Sequence, residues 1–520
     1  MLQKSYVRNY IQIYLWRGLS VLLNVAALFF VLPKLSSSPE IFGIYSVCIS
    51  ISVFLTYADI GFLKAGVKYA TVYFAKKERQ KEQRFIGFSL FILLLLVSLI
   101  SAALFVFSIN PDILIKDIKP GRDWQIASKL LCIQAIFSFN VVLQKFVDSV
   151  LEIRLENYLS QRVRIGVGSV KILSVSFFFT ESHYDIVGYF FFIQIVDLLG
   201  HLVSVCIIRN KYSYDILFQL KCLRYDSVVF KKVKKLALGS LYVTATWILY
   251  YELDLMVIGK LFGAFSVALY ALSFTLLTYY RTLGGIIFSP FQARFNHFIA
   301  LGKLGDLTLF YFRVIRNTMP FVLFSTIPFL ILADSFVLSW VGIQYEKSIP
   351  IAVLLVAGNL FMFIRIPGSY IILALERLKY LYIINTIQVV IFWAGVFFTI
   401  ELFGIVSFAL SKFVASFFVT LYYFRITKVI LSVKVVELLE KTLLKMIVPV
   451  LFQVIFLVIF KNLIPNSLAI SNLGWVILIG FSSFGAAFLV YHCIDREFRE
   501  EFQKLILSLK TKNLDKVEEK

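Results

Sequence analysis

Nine ionisable side chains stand inside long apolar runs of this 520-residue chain. Five are cations: Arg17, Lys171, Arg281, Arg365 and Lys412. Four are acids: Asp59, Asp197, Glu252 and Asp254. A charge at the centre of a bilayer costs about 2.5–3.5 kcal/mol on insertion scales, so such residues face a water-filled cavity or a partner. Several cations spread over different segments would attract an anion into a shared cavity. Helical spacing sharpens the chemistry. Tyr10, Tyr14, Arg17, Ser20 and Asn24 fall on one face of the first apolar segment, offering stacking surfaces for a sugar ring and an Arg for a phosphate. Gln194, Asp197 and His201 share another face, where an acid and a histidine one turn apart could carry a proton or hold a cation. Glu252 and Asp254 are two positions apart, point in different directions and cannot form one carboxylate pair. For each cation, and for Asp197 with His201, a purely structural role remains open: an intramembrane ion pair can simply hold two helices together. Glu181, His183 and Asp185, in the loop TESHYD, have metal-ligating chemistry but read better as a solvated loop. No HExxH, Walker A or nucleophile-elbow motif occurs, so no cofactor or resident metal is expected.

The elements that must position these residues are membrane spans. Hydrophobic residues make up 60% of the chain and charged ones 16%, far from the balance of a soluble domain. The stretch Leu236–Phe295 sets the pattern, with two long apolar segments joined by a short turn around Gly259–Gly263. Fourteen segments approach the length of about 20 residues that a bilayer requires: 11–32, 41–62, 85–109, 126–147, 163–180, 185–208, 236–258, 263–289, 315–334, 349–375, 380–401, 403–424, 443–463 and 470–493. The tenth contains Pro367-Gly368 and is expected to kink there. The fold class is therefore an all-α polytopic membrane protein.

The net charge of +21 lies between these segments, which favours loop charge over nucleic-acid binding. With the N-terminus inside, the basic loops at 76–84, 145–164, 209–235 and 425–445 and the C-terminal tail all fall on the cytoplasmic side. Both termini are thus expected to be cytoplasmic. On this topology Lys171, Asp197 and Lys412 sit near mid-span, while Arg17, Arg281 and Arg365 are displaced towards the cytoplasm. Asp59 lies close to a cytoplasmic end, and Glu252 and Asp254 lie nearer the outer end. The outer loops are short, which disfavours an external catalytic domain. Five cysteines at irregular spacing suggest no disulfide framework or zinc site. Lys4 and Arg8 before an apolar run mimic a signal peptide, but Arg17 interrupts it, so the run reads as an uncleaved first span. Phe498, Phe502, Leu505, Ile506 and Leu509 form an amphipathic pattern in the tail, suited either to the inner membrane surface or to the protein's own cytoplasmic face. PKLSSSPEIFGIYSV (33–47) is similar to GKLFGAFSVALYALS (259–273), which points to an internal repeat joined by the 209–235 loop.

Several short motifs together resemble the polysaccharide transporter family, which includes the Wzx-type O-antigen flippases of the multidrug/oligosaccharidyl-lipid/polysaccharide exporter superfamily. They are Asp254-x-x-x-Ile258-Gly259, Leu261-Phe262-Gly263, Tyr270-Ala271, Pro290, Trp340-Val341-Gly342 with Tyr345, Glu376-Arg377-x-Lys379, and YADIGFLKAGVKYA at 57–70. The resemblance covers nearly the whole chain in order, and its specificity lies in the succession of motifs. It implies two pseudo-symmetric six-helix lobes around a central cavity plus two C-terminal helices. The expected organisation is an N-terminal lobe at 1–208, a cytoplasmic linker at 209–235, a C-terminal lobe at 236–424, two extra spans at 425–493 and an amphipathic tail at 494–520. The implied task is moving an undecaprenyl-pyrophosphate-linked oligosaccharide across the bacterial inner membrane by alternating access, driven by sodium or protons. Arg17, Arg281, Lys171, Arg365 and Lys412, with Tyr14 and Asn24, would receive the substrate. Asp59, Asp197, His201, Glu252 and Asp254 would serve coupling or gating. A polysaccharide polymerase and a chain-length regulator are the implied protein partners. A lipid II flippase differs only in substrate. A multidrug exporter favours twelve spans and acidic cavities, a membrane polymerase needs a large external loop, and a scaffold would not bury so many charges.

Overall fold

The computed structural model describes residues 2–118, 121–180, 183–431, 443–464, 470–501 and 503. Helices dominate. In order they are α1 (Leu2–Phe30), α2 (Leu32–Leu35), α3 (Pro39–Tyr57), α4 (Phe62–Ala75), α5 (Arg79–Ile109), α6 (Arg122–Phe137), α7 (Asn140–Ile153), α8 (Tyr158–Phe178), α9 (Ile186–Tyr212), α10 (Ile216–Lys221), α11 (Ser227–Tyr251), α12 (Asp254–Ala300), α13 (Leu304–Val341), α14 (Ile349–Ala357), α15 (Met362–Ala374), α16 (Leu378–Phe403), α17 (Val406–Leu431), α18 (Leu444–Lys461) and α19 (Ile470–Ile494). A two-residue antiparallel pairing, Phe179–Thr180 with His183–Tyr184, is the sheet content of the described residues.

Among the described residues, twelve stretches are long and apolar enough to cross a membrane. One of them, Ser227–Ala300, runs 74 residues. At 1.5 Å per residue that is far more than one crossing, and it is broken after Tyr251 and again at Gly263. The 21-residue α8 is also of spanning length, although it carries Arg162, Arg164 and Lys171. With these, each of the fourteen expected segments falls on a helix of the described chain. The fold is that of an all-α, multi-pass membrane protein.

Two local expectations need correction. The seventh span does not run to residue 258 and turn around Gly259–Gly263. It ends at Tyr251, and a short helix over 254–262 follows before Gly263 breaks the path with φ 78°. Only glycine adopts that backbone without strain. In the tenth span the break is not at Pro367-Gly368 but at Gly358–Phe361, a 3-10 segment between α14 and α15. Pro367 stays within α15, close enough to that break that its missing N–H interrupts little regular helix.

The chain forms two compact units, Met1–Ala271 and Leu272–Lys520. In the first unit, small residues let helices approach closely. Gly66 of α4 faces Ser89 of α5, and Gly168 of α8 faces Leu23 of α1. At the end carrying the basic loops, Arg154 and Glu82 form a buried pair at 2.8 Å, with Phe74 and Tyr212 rings 4.8 and 5.1 Å from the guanidinium. Two helices there begin on aspartate caps, Asp215 on α10 and Asp226 on α11, while Asp185 caps α9 at the opposite end. Burial alone would raise the Asp226 carboxyl, but the Arg84 hydrogen bond and the Val229 and Val228 N–H groups outweigh it and hold the carboxyl below its ordinary range. The 209–235 stretch is mostly helical, because α9 and α11 extend into it.

At the other end of this unit, the two copies of the repeat each make a helix, a turn and a helix. In the first, α2 and the serines 36–38 lead to α3. The Tyr184 hydroxyl donates to Leu35 O at 2.6 Å, and Lys34 Nζ reaches Phe179 O at 3.5 Å. In the second, 254–262 and Gly263 lead into the rest of α12. Lys116 N donates to Gly259 O at 3.0 Å, and Lys260 Nζ donates to Asp112 O at 3.3 Å. Gly43 of α3 lies directly against the Ala264 carbonyl.

In the second unit, α13 packs between α18, α19 and α15 around Phe288, Phe295, Tyr311, Phe324 and Tyr491. Gly395 of α16 accommodates Ser411 of α17. The described start of the tail docks on α13. Glu501 meets Arg316 at 2.6 Å, Arg313 at 2.9 Å and Asn317 at 2.9 Å, and Phe498 is buried against Tyr491. That part of the tail therefore packs on the protein itself. Phe502, Leu505, Ile506 and Leu509 lie outside what the structure describes, as does 432–442 of the 425–445 loop.

Candidate functional site

The in-span charges of the first unit fall into three settings. Arg17 and Asn24 lie two turns apart on an exposed side of α1. Another side of α1 packs on α8, where Trp16 lies 4.9 Å from the Arg162 guanidinium and Leu23 fills the space over Gly168. Among the described residues, no acceptor is within hydrogen-bonding reach of Arg17. The side chains of Tyr10 and Tyr14 lie outside what the structure describes.

The second setting is a small polar pocket between α7, α8 and α9. Lys171 Nζ meets Asp197 Oδ2 at 2.6 Å. Arg164 meets Asp148 at 2.6 Å. His201, one turn beyond Asp197, lines the same pocket, and its buried Nδ1 has no hydrogen-bond partner among the described residues. The cavity is about 30 Å³, enough for one water molecule. Gln194, on the same helix face, bonds instead to Gln134 at 3.2 Å. Asp197 and His201 are thus brought together with Lys171 and the Asp148–Arg164 pair, three charges that helical spacing along one span could not supply.

The third setting is the pair of helix breaks. Asp59 is buried in the turn between α3 and α4, where Ile60 and Gly61 have φ of 47° and 77°. Lys145 and Lys64 are the cations whose charge acts on it. Glu252 caps the end of α11. Asp254 opens α12, is 1% exposed, and accepts a 2.6 Å hydrogen bond from the Tyr270 hydroxyl. That bond spans the Gly263 break and ties the two pieces of α12 together.

In the second unit, Arg281 is half-buried on α12. Arg365 donates to Ser416 Oγ at 2.7 Å and to Gly358 O at 3.2 Å, pinning the 3-10 break of the tenth span to α17. Lys412 is 4% exposed, with the rings of Phe274 and Phe392 each 5.0 Å from its ammonium. Of the TESHYD residues, Glu181 lies outside the described chain, His183 joins the short strand pairing, and Asp185 caps α9 by accepting from Gly188 N at 2.8 Å.

Sequence reasoning passed over two features. Tyr270 stands in a quoted motif, yet its pairing with Asp254 crosses a helix break and leaves no periodic signal. Lys64 and Lys68, in the 57–70 motif, sit one turn apart on α4 and line an open groove against α7. Their i,i+4 spacing was the available signal.

No protein-family model matches the sequence, and no curated protein matches it significantly. Solved structures do match. A lipid II flippase MurJ in an inward closed conformation aligns with TM-score 0.70 at 14% identity, over 94% of this chain and 99% of that one. An inward-facing multidrug resistance MATE family transporter of the MOP superfamily aligns with TM-score 0.60 at 11% identity, over 78% of this chain and 94% of that one. A MOP superfamily transporter from Pyrococcus furiosus, described as having a binding pocket of reverse polarity, aligns with TM-score 0.51 at 12% identity, over 83% of this chain and 97% of that one. The chain has the fold that these transporters share.

Proposed function

We propose that this protein is a non-enzymatic transporter that flips an anionic, lipid-linked saccharide across a membrane. Its substrate on this reading is an undecaprenyl-pyrophosphate-linked oligosaccharide, an O-antigen or capsule unit, moved from the inner to the outer leaflet of a bacterial inner membrane by alternating access. One observation carries the reading: on a fold shared with a lipid II flippase, the in-span acids Asp197 and Asp254 are occupied by Lys171 and Tyr270, while Arg17 stands exposed without an acceptor among the described residues. An exposed intramembrane cation suits a substrate that brings its own negative charge. A diphosphate offers Arg the bidentate geometry it binds best, and Asn24 adds a hydrogen-bonding group on the same side. The lipid tail can stay in the bilayer while the polar head crosses.

Coupling on this reading is to protons, through His201 and the Lys171–Asp197 and Arg164–Asp148 pairs around it. Asp59, Glu252 and Asp254, placed at helix ends and breaks, act in gating. Both termini face the cytoplasm, and the polysaccharide polymerase and chain-length regulator act on the product outside.

A lipid II flippase is the second reading, favoured by the likeness to MurJ. One experiment separates them and tests the first. Loss of the gene in its bacterial host should accumulate a lipid-linked oligosaccharide on the inner leaflet. Accumulated lipid II would favour the second reading, and no accumulated polyprenyl lipid of either kind would end both. In proteoliposomes carrying the accumulated lipid, Arg17→Ala should abolish transport while His201→Gln should flatten its pH dependence. Full transport by Arg17→Ala would remove Arg17 from the mechanism.

A further inference from the structure

The groove between α4 and the end of α7 lies wholly within the first unit and has a volume of about 540 Å³. That is many times the roughly 30 Å³ share of one water. Lys64, Lys68 and Thr71 line one wall at i, i+4 and i+7 along α4. Glu152, Ile153 and Leu155 form the opposite wall, and Val67 and Phe74 give the groove an apolar side. Both lysines are exposed. Among the described residues, neither ammonium is hydrogen-bonded or ion-paired. Three other charged groups bear on the site. Glu152 faces it, and Lys145 acts with Lys64 on both Glu152 and Asp59. The groove itself therefore presents two cations against one acid. It sits where α4 ends at Ala75, just before the basic run 76–84, a position suited to the boundary between lipid and water.

We propose that this groove is a docking site for the diphosphate of a polyprenyl lipid, taken up before the lipid reaches Arg17. The inference rests on the flippase reading. Two ammoniums one helical turn apart, with Cβ atoms about 5–6 Å from each other, match the two phosphoryl groups of a diphosphate. Val67, Phe74, Ile153 and Leu155 provide an apolar surface for the first part of the prenyl chain. Lys64 makes no ion pair among the described residues, so its ammonium can meet a diphosphate without breaking a salt bridge. Asp59 sits in the turn that joins α3 to α4.

The test uses the full chain in phosphatidylcholine nanodiscs, with undecaprenyl diphosphate and phosphatidylglycerol as separate probes. The double variant Lys64→Gln/Lys68→Gln should bind undecaprenyl diphosphate at least tenfold more weakly than the wild type, because two charge-assisted contacts are lost. Lys64→Arg/Lys68→Arg should retain binding and shows that the site tolerates substitution. Phosphatidylglycerol should compete poorly against the wild type. Binding by the double Gln variant within twofold of wild type overturns the inference and leaves the flippase reading standing. Equal competition by phosphatidylglycerol also overturns it, since the groove would then hold bulk lipid headgroups. Absence of any undecaprenyl diphosphate binding to the wild type removes the flippase reading as well.

Discussion

The motif at 33–47 and its relative at 259–273 turn the chain in the same way with different residues. The first spends three serines and Pro39 on the turn. The second needs only Gly263, because a residue with φ of 78° reverses the path at once. Each turn has its backbone held by a loop from elsewhere in the first unit: the 179–184 pairing for the first, and residues 112–116 for the second. Lys34 and Lys260 occupy matching positions, and both reach a carbonyl of the covering loop. The copies differ in what the equivalent tyrosine of the helix beyond the turn contacts. Tyr45 and Tyr270 are each the seventh residue of that helix. Tyr270 donates to the buried Asp254, whereas Tyr45 packs edge-on against Phe190 at 5.8 Å. In the first copy the tyrosine thus packs its ring against α9, and in the second its hydroxyl closes the turn by a hydrogen bond. A repeat conserves a path through space more strictly than the interactions that fix it.

The strongest test of this shared path is where the copies touch. A Cβ on Gly43 would fall well inside contact distance of the Ala264 carbonyl, which is backbone and has no rotamer to change. Gly43→Ala should destabilise the purified protein by about 3 kcal/mol, the upper range for overpacking, and lower its melting temperature in detergent. Gly18→Ala in α1 is the control. A Cβ there meets nothing within 4 Å, so that variant should melt at or above the wild-type temperature. Equal melting of Gly43→Ala and wild type would mean that α3 does not lie against the second copy.

Next in size is the glycine that gives the second copy its compact turn. Gly263→Ala places a side chain in a conformation that is nearly exclusive to glycine, and its Cβ would sit 3.1 Å from Lys116 O. A cost of about 2 kcal/mol follows. No glycine stands in the first turn, so replacing Ser37, whose hydroxyl donates to Lys34 O at 2.9 Å in an exposed setting, should change the melting temperature far less. Comparable losses at both turns would break the distinction between them.

The same comparison explains what could be read from the sequence. Apolar length alone placed the fourteen spans, because a bilayer leaves a helix few alternatives. The breaks were harder. Gly259 and Gly263 both stood in the expected turn, and composition does not say which glycine takes positive φ. Pro367 drew the expected kink to the wrong place, since the break forms where Arg365 captures the Gly358 carbonyl, a contact made by folding back seven residues. Lys171 and Asp197 were each singled out, yet their pairing is between α8 and α9 and has no one-dimensional signature. Lys64 and Lys68 stand at helical spacing, but a lysine pair near the end of a span has the same one-dimensional pattern as ordinary flanking charge.

The finest test separates the two tyrosines. Tyr270→Phe leaves the buried Asp254 carboxylate without a donor that it holds at 2.6 Å. Removing a hydrogen bond to a charged group costs about 1.5–3 kcal/mol, and the loss falls on the bond that closes the Gly263 break. Tyr45→Phe removes a hydroxyl with no acceptor among the described residues and keeps the ring that meets Phe190, so its effect should stay within about 0.5 kcal/mol. A double-mutant cycle on Asp254→Asn and Tyr270→Phe, read from melting in detergent, should return a coupling of about 1 kcal/mol or more. The same cycle on Tyr45 and Asp254 should return none. If the two tyrosines behaved alike, Asp254 would be held by its own helix N-terminus, where Leu255 N already donates to it at 3.1 Å, and the bond across the break would contribute nothing. A Tyr270 effect on transport larger than its effect on melting would instead place the bond among the contacts that break and re-form as the protein cycles.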